Sequence, residues 1–346
     1  MTLTSLLGIA LPVIQAPMAG VQDHELAIAV STAGGLGSLP CAMLSADALE
    51  AQVGAIRAAT DRPFNLNFFC HRETAPDPER EDAWLDALAP YYRELGVELG
   101  APASGGGRRP FDDETADSVE RLRPPVVSFH FGLPAPRLLD RVKATGATVL
   151  SSATTVEEAV WLESNGADVV VAQGSEAGGH RGMFLTEDLA TQLPTDRLLE
   201  AIAGAVRAPV VASGGIARAA DVERAFTLGA SGVQAGTAYL LCPEAHTSAL
   251  HRAAIAAADA GATTITNVMT GRPARGIANR AIRELGPVSP AAPAFPRAAA
   301  ALAPLRAAAE ARGLGDFSPL WAGERLAECE ELAAGELTRR LAARLS

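Results

Sequence analysis

The sequence contains almost no lysine. Lys143 is the only lysine among 29 basic residues, and it lies in a predicted helix, "PRLLDRVKATG". A Schiff-base enzyme needs a lysine amine at its reactive centre, and a helix position removes Lys143 from the strand ends where barrel enzymes react. The net charge is −11. Because binding a phosphate backbone requires clustered positive charge, we expect no nucleic-acid partner.

Cysteine is also scarce, and long hydrophobic runs are missing. The four cysteines lie far apart without a C-x-x-C pair, which predicts neither a disulfide framework nor a zinc site. No uninterrupted apolar run reaches the ~18–20 residues of a membrane span. The first lysine or arginine is Arg57, so no basic segment precedes the apolar N-terminus as it would in a secretory signal. We expect a soluble, cytoplasmic protein with no membrane partner.

Eight short apolar segments recur along the chain. Most are continuously apolar, which is typical of parallel strands covered on both faces. The segments between them carry apolar residues at helical spacing, and several end in glycine just before the next strand, as in "KATGATVL" and "ESNGADVV". The predicted strands are 13–18, 35–40, 63–69, 126–132, 148–154, 169–174, 209–216 and 232–240.

This alternation of strands and helices predicts an α/β fold, the (β/α)8 TIM barrel. An open doubly wound sheet is the alternative, but the G-x-G-x-x-G fingerprint that follows its first strand is missing. Two stretches, 71–123 and 241–305, interrupt the period. We expect 241–305 to form a small, mostly helical lid domain inserted after strand eight. The barrel then consists of 1–240 and 306–346.

Glycine-rich turns follow the last two predicted strands. The segments are "SGGIA" (213–217) and "QAGTA" (234–238). Barrels often bind phosphate with the loops after strands seven and eight, and glycine lets backbone N–H groups approach an anion closely. We therefore predict a phosphate site at these turns, where the bare backbone N–H groups are accessible and Thr237 adds a hydroxyl; the alternative is that the glycines only make tight turns.

Two primary amides also lie at predicted strand ends. Asn67 belongs to the third strand and Gln173 to the sixth. An amide offers an acceptor beside two donors, which suits a heteroaromatic edge with N–H and C=O side by side, such as a flavin pyrimidine ring. Pro17 and Met18 end the first strand and are expected to line the same cofactor site.

Three histidines, His71, His130 and His180, lie at predicted strand ends. No aspartate or glutamate accompanies them at a strand end, so we expect no metal. His180 follows two glycines that leave the backbone beside its ring open, and a histidine that titrates near neutral pH is the usual general base. Arg181 either disfavours the protonated ring or binds an anionic substrate, and His130 is a second candidate substrate contact. The alternative for His180 is a loop histidine that caps a carbonyl.

Eight segments of the chain, in order, resemble the nitronate monooxygenases, FMN enzymes formerly called 2-nitropropane dioxygenases. The most specific are "FNLNFFCHR" and "EAGGHRG", and the others include "PVIQAPMAG", "VSFHFGLP" and "TGRPARGIANR". The resemblance implies an FMN barrel with a small helical lid and His180 as the catalytic base. It also implies FMN contacts at Asn67, Gln173, Gly178, Gly215, Gln234, Ala235, Gly236 and Thr237.

The implied reaction converts an alkyl nitronate, such as propionate 3-nitronate, and O2 into a carbonyl compound and nitrite. A neutral nitroalkane would first lose its α-proton to His180. The expected partners are these small molecules, and the expected assembly is a monomer or homodimer. An FMN-dependent NAD(P)H enoyl-thioester reductase remains an alternative, because such enzymes resemble the chain through the same E-A-G-G-H and S-G-G segments. A non-catalytic flavin-binding barrel is a further alternative.

Overall fold

Parallel strands form a closed barrel in the computed structural model, which describes residues 2–99 and 108–345. Hydrogen bonds from Gln15 N to Leu36 O and from Leu36 N to Val13 O, both 2.9 Å, join the first strand to the segment leading into the second and close the ring. The TIM barrel prediction is confirmed. The barrel strands are β1 (Val13–Gln15), β2 (Gly37–Pro40), β3 (Phe64–Phe69), β4 (Val126–His130), β5 (Thr148–Ala153), β6 (Val169–Gln173), β8 (Val210–Ser213) and β9 (Gly232–Ala235).

Helices separate most of these strands and surround the barrel. Many begin with a side-chain cap; for example, Thr155 Oγ1 accepts a 3.2 Å hydrogen bond from Glu158 N. No helix in the described ranges combines the length and apolar character needed to cross a bilayer. The helices are α1 (Leu3–Leu7), α2 (His24–Thr32), α3 (Ala46–Ala59), α4 (Pro78–Leu95), α5 (Asp113–Leu122), α6 (Pro136–Ala144), α7 (Val156–Ser164), α8 (Thr195–Ala203), α9 (Ala219–Thr227), α10 (Ala249–Ala256), α11 (Arg280–Leu285), α12 (Ala298–Glu310) and α13 (Ala334–Leu341).

The amino-terminal end of the barrel is closed by α1. Its Leu3 and Leu7 are buried against strand residues such as Ile14 and Val211. Gly232 faces this contact, since a Cβ there would lie 2.3 Å from Leu3 Cδ2. Because α1 closes this end of the barrel, a cavity can form only at the other end, where the strands have their carboxyl ends.

A second, three-stranded antiparallel sheet covers that end. It has the order β10-β11-β7, with β7 (Gly179–His180) contributed by the loop after β6 and a hairpin formed by β10 (Thr263–Thr266) and β11 (Ala274–Ile277). The expectation of a mostly helical segment at 241–305 missed this hairpin. Alternation over four residues is too short a signal to separate a strand from a loop in "TTIT" and "ARGI".

Residues outside 241–305 also pack against the segment expected to form the lid. Helix α4, from the 71–123 stretch, packs along α12 with Trp84 and Leu88 buried against Leu302 and Leu305. Helix α12 runs from 298 to 310, so the expected boundary at 305/306 falls inside a helix. The final helix, α13, packs against α2 and α9 and completes the helical ring around the barrel.

Candidate active site

One large cavity opens at the carboxyl ends of the barrel strands. Its volume is about 1900 Å³ when the space of the open mouth is included. All but one of the candidate residues line it: Pro17, Met18, Asn67, His130, Gln173, Gly178, His180, Gly215, Gln234, Ala235, Gly236 and Thr237. The exception is Arg181. The predicted cofactor and substrate residues other than Arg181 therefore line a single cavity.

The glycine side of the cavity consists of Gly214, Gly215, Gly236 and Thr237, which follow β8 and β9. Gly214 and Gly215 have φ angles of +119° and +66°, a left-handed turn that glycine adopts without strain. Within the described residues, no protein oxygen accepts a hydrogen bond from the backbone N–H groups of these four residues. Several free N–H groups on adjacent turns form an anion-binding concavity, so this side fits the phosphate of a cofactor such as FMN.

The amide side chains are only partly engaged with protein. Asn67 Nδ2 donates to Ser128 Oγ at 2.9 Å, while Asn67 Oδ1 has no protein donor in the described part of the chain and is not sealed from the cavity. Gln173 Nε2 donates to His180 O at 2.9 Å, and its Oε1 accepts from Gly182 N at 2.8 Å. Asn67 thus keeps an acceptor for a ring N–H, and Gln173 mainly fixes the loop that carries His180.

Gly178 serves a close backbone contact. A Cβ at this position would lie 2.5 Å from Gly323 N, so glycine lets the segment 322–324 pack against the loop. Gly323 N in turn donates to Thr237 Oγ1 at 2.8 Å. The expectation that Gly178 makes room for a ring and substrate is therefore corrected: its missing side chain makes room for the protein's own C-terminal segment.

On the histidine side of the cavity, His180 lies among aromatic residues, of which Phe69 and Trp321 also line the cavity. Its ring centroid lies 5.3 Å from that of Phe295 and 5.4 Å from that of Trp321, with Phe69 and Phe131 slightly farther away. These residues come from β3, the loop after β4, the lid and the C-terminal segment. Sequence reasoning missed Phe295 and Trp321, since nothing local to either residue indicates a cavity.

The electrostatics of this side keep the imidazoles neutral. Burial lowers the pKa of His180 well below its usual range, and Arg108, His130, Arg272 and His71 lower it further. Burial is also the main cause that lowers the pKa of His71 and of His130 to about 4. This corrects the expectation of a histidine that titrates near neutral pH. The unprotonated ring is ready to accept a proton at pH 7, and the nearby arginines favour an anion.

Arg181 does not reach the cavity. It is completely buried, and its guanidinium donates to Gly174 O and Gln173 O, both at 2.7 Å, and to Gln192 Oε1 at 2.9 Å. Successive side chains of an extended segment point to opposite sides, so His180 faces the cavity and Arg181 faces away. The expected substrate contact is replaced by a structural one that ties the loop after β6 to the barrel.

His130 lines the cavity, but both of its ring nitrogens bind protein. Nε2 lies 3.1 Å from His180 O, which only accepts, so Nε2 carries the proton and Nδ1 accepts from Ser152 Oγ at 2.6 Å. No ring nitrogen of His130 is left for a substrate. The expected polar contact with substrate is corrected, and the residue instead helps Gln173 to hold the His180 carbonyl.

Comparison with known proteins shows the family of the chain. The family model described as "Nitronate monooxygenase" matches residues 1–343. The chain belongs to the nitronate monooxygenase family. It is 44% identical over 340 residues to a nitronate monooxygenase of Pseudomonas aeruginosa, covering 98% of this chain and 97% of that one. It is 41% identical over 342 residues to one from Paraburkholderia phytofirmans, covering 98% and 93%.

Solved structures show the same fold. A nitroalkane oxidase from Streptomyces ansochromogenes superposes with a TM-score of 0.90 at 38% identity, covering 99% of this chain and 97% of that one. FabK from Thermotoga maritima superposes with a TM-score of 0.70 at 24% identity, covering 99% and 94%, and at that identity it supports the fold alone. The nitronate monooxygenase family consists of oxidoreductases, so the chain is an enzyme of that class.

Proposed function

We propose that this protein is an FMN-dependent monooxygenase that oxidises alkyl nitronates, such as propionate 3-nitronate, with O2 to carbonyl compounds and nitrite. The observation that carries the proposal is the composition of the cavity. Backbone N–H groups without a protein acceptor in the described ranges line its glycine side, and an unprotonated imidazole with aromatic neighbours lies across the barrel. Phosphate binding and proton acceptance are thereby available within one cavity.

The residues that would hold FMN follow from their donors and acceptors. Gly215, Gly236 and Thr237 offer backbone N–H groups to the phosphate. Asn67 Oδ1 offers an acceptor to the ring edge, and Gln173, Gly178, Gln234, Ala235, Pro17 and Met18 line the space between. When bound, FMN would supply the one-electron redox chemistry that connects the nitronate with O2.

The protein's own side chains would handle the proton and the charge. His180, neutral at pH 7, would accept the α-proton of a nitroalkane, and the resulting anion would lie in the field of Arg108 and Arg272. Phe69, Phe295 and Trp321 would exclude water from the reacting carbon. A nitronate that arrives as an anion needs no base and uses only the charge complementarity.

The proposal is tested with the purified protein. We expect a flavin absorption spectrum, release of FMN on denaturation, and oxygen consumption with release of nitrite upon addition of propionate 3-nitronate. Rapid bleaching of the flavin by NADH under anaerobic conditions, without nitronate-dependent oxygen uptake, would support the enoyl-thioester reductase. A yellow protein that gives neither response would support a non-catalytic flavin-binding barrel. Size-exclusion chromatography tests the proposed monomer or homodimer.

A further inference from the structure

The backbone of His180 is held from two directions. Its carbonyl oxygen accepts from Gln173 Nε2 at 2.9 Å and from His130 Nε2 at 3.1 Å, both on the barrel. On the lid side, His180 pairs in register with Ala274 of β11, and the next backbone N–H donates to Pro273 O at 2.8 Å. These contacts fix the backbone position of His180. They do not determine which nitrogen of its ring carries the proton.

A single side chain in the described part of the chain forms a hydrogen bond with that ring. His180 Nε2 lies 2.9 Å from Thr270 Oγ1, and Phe295 and Trp321 pack against the ring. Thr270 is buried, with 2% of its surface exposed, and it belongs to the 267–271 turn that joins β10 to β11. The lid hairpin thus supplies the polar partner of a histidine that the barrel loop carries.

The Thr270 hydroxyl can donate its proton in either of two directions. Thr270 Oγ1 also lies 3.4 Å from Arg272 O, a carbonyl that only accepts. A hydroxyl proton that points to Arg272 O leaves a lone pair of Oγ1 facing His180 Nε2, whereas a proton that points to Nε2 requires a ring protonated at Nδ1. A neutral ring that donates from Nε2 has its lone pair on Nδ1. In the described residues Nδ1 has no protein partner and is not sealed from the cavity.

We propose that Thr270 is a positioning residue, which holds His180 in the Nε2-protonated tautomer and so presents Nδ1 to the substrate as the base. The inference deepens the proposed function and rests on it for the role of the base. In the reaction step, the α-C–H bond of a nitroalkane breaks, its proton forms a bond with Nδ1, and its electron pair stays on the nitronate. Thr270 itself takes no proton.

The first test reads the tautomer directly and needs no turnover. In protein labelled with ¹⁵N-histidine, the His180 signals are assigned by their loss in His180→Asn. We expect the wild type to show a protonated Nε2 and an unprotonated Nδ1, and Thr270→Val and Thr270→Ala to show a mixture of tautomers. A wild-type ring protonated at Nδ1, or a Thr270 variant with an unchanged tautomer, would overturn the proposal whether or not the protein oxidises nitronates.

The second test separates positioning from folding. Thr270→Val should lower kcat/KM for nitroethane at least tenfold, while ethylnitronate, which needs no base, should change less than twofold. Thr270→Ser keeps the hydroxyl and should restore most of the loss. Thr266→Val makes the same change at a buried threonine of the same hairpin, whose Oγ1 accepts from Val268 N, and should leave the activity on both substrates unchanged.

The outcomes of the second test distinguish the two proposals. Equal losses on nitroethane and ethylnitronate in Thr270→Val would contradict the positioning role. Absence of oxygen uptake by the wild type with any nitronate would contradict the proposed function, and the tautomer measurement would still decide the state of His180. The pH profile of kcat/KM for nitroethane, measured for the wild type and for Thr270→Val, serves as a control. Arg108, Arg272, His71 and His130 lower the pKa of His180 in both proteins.

Discussion

The two sides of the cavity are built in different ways. The glycine side uses backbone N–H groups from two adjacent strand ends, β8 and β9, and needs almost no side chain. The histidine side brings together side chains from β3, the loops after β4 and β6, the lid hairpin and the C-terminal segment. One side is a property of local chain geometry, and the other exists only once the whole chain has folded.

This difference predicts how each side responds to substitution. A backbone site fails when its turn is strained, and the loss falls on binding of the anion it holds. A side-chain site fails when one reacting group is removed, and the loss falls on the step that this group performs. The substitutions below act on one side at a time.

The largest expected effect belongs to His180→Asn. Removing the only group proposed to take a proton should lower kcat/KM for nitroethane by about a thousandfold, within the range typical of a general base. Ethylnitronate arrives already deprotonated, so its kcat/KM should fall much less. The measurement compares initial rates of oxygen consumption with the two substrates at equal FMN content.

Equal loss of activity on nitroethane and ethylnitronate would contradict the role of His180 as base. Retention of FMN in the variant is the control, because the glycine side and Asn67 are unchanged. A variant that loses its flavin would show that the two sides are not independent.

Arg181→Met should act on stability rather than on substrate. The substitution removes a donor to the buried Gln173 O and one of the donors to Gly174 O, which keeps Ala177 N at 3.1 Å, and such a loss costs about 3 kcal/mol in free energy of unfolding. Arg344→Met is the matched control: its pair with Glu223 is exposed, so less than about 1 kcal/mol is expected. Urea denaturation measures both. If Arg181→Met instead raised the KM for nitronates and left the stability unchanged, Arg181 would contact the substrate, contrary to the structure.

The same contrast explains what could be predicted from the sequence. The barrel and the glycine side can be predicted, because the periodicity of the strands and glycines such as Gly215 and Gly236 are visible in short stretches of sequence. The sequence also indicates His180. It does not predict strand β7, and because adjacent residues of a strand face opposite sides, the expected substrate contact of Arg181 is wrong. Thr270 and Trp321 could not be assigned, because each is more than 80 residues from His180 and reaches it only through tertiary folding.

Gly215→Ala should weaken FMN binding without touching the histidine side. At its φ of +66°, any L side chain costs about 1–2 kcal/mol of backbone strain. We expect the turn to relieve this strain by moving the N–H groups that bind the phosphate. We expect the Kd for FMN, measured by quenching of flavin fluorescence, to rise about tenfold. Gly313→Ala carries the same strain at φ +74°, with open space around it and away from the cavity, and should leave the Kd unchanged. An unchanged Kd in Gly215→Ala would place the phosphate elsewhere.

The smallest expected effect tests the charge on the histidine side. Arg108 lines the cavity and lowers the pKa of His180, so Arg108→Met should raise that pKa. The base must be unprotonated to react, so the acid limb of kcat/KM for nitroethane should move to higher pH. The KM for an anionic nitronate should rise about threefold, because one cation facing the cavity is lost.

The control is Arg109→Met, at the next residue in the sequence, since Arg109 is exposed and pairs with Glu114 at 3.1 Å. If Arg108→Met and Arg109→Met gave the same pH profile and KM, the positive charge of the cavity would not depend on Arg108, and Arg272 would remain as the arginine that favours the anion.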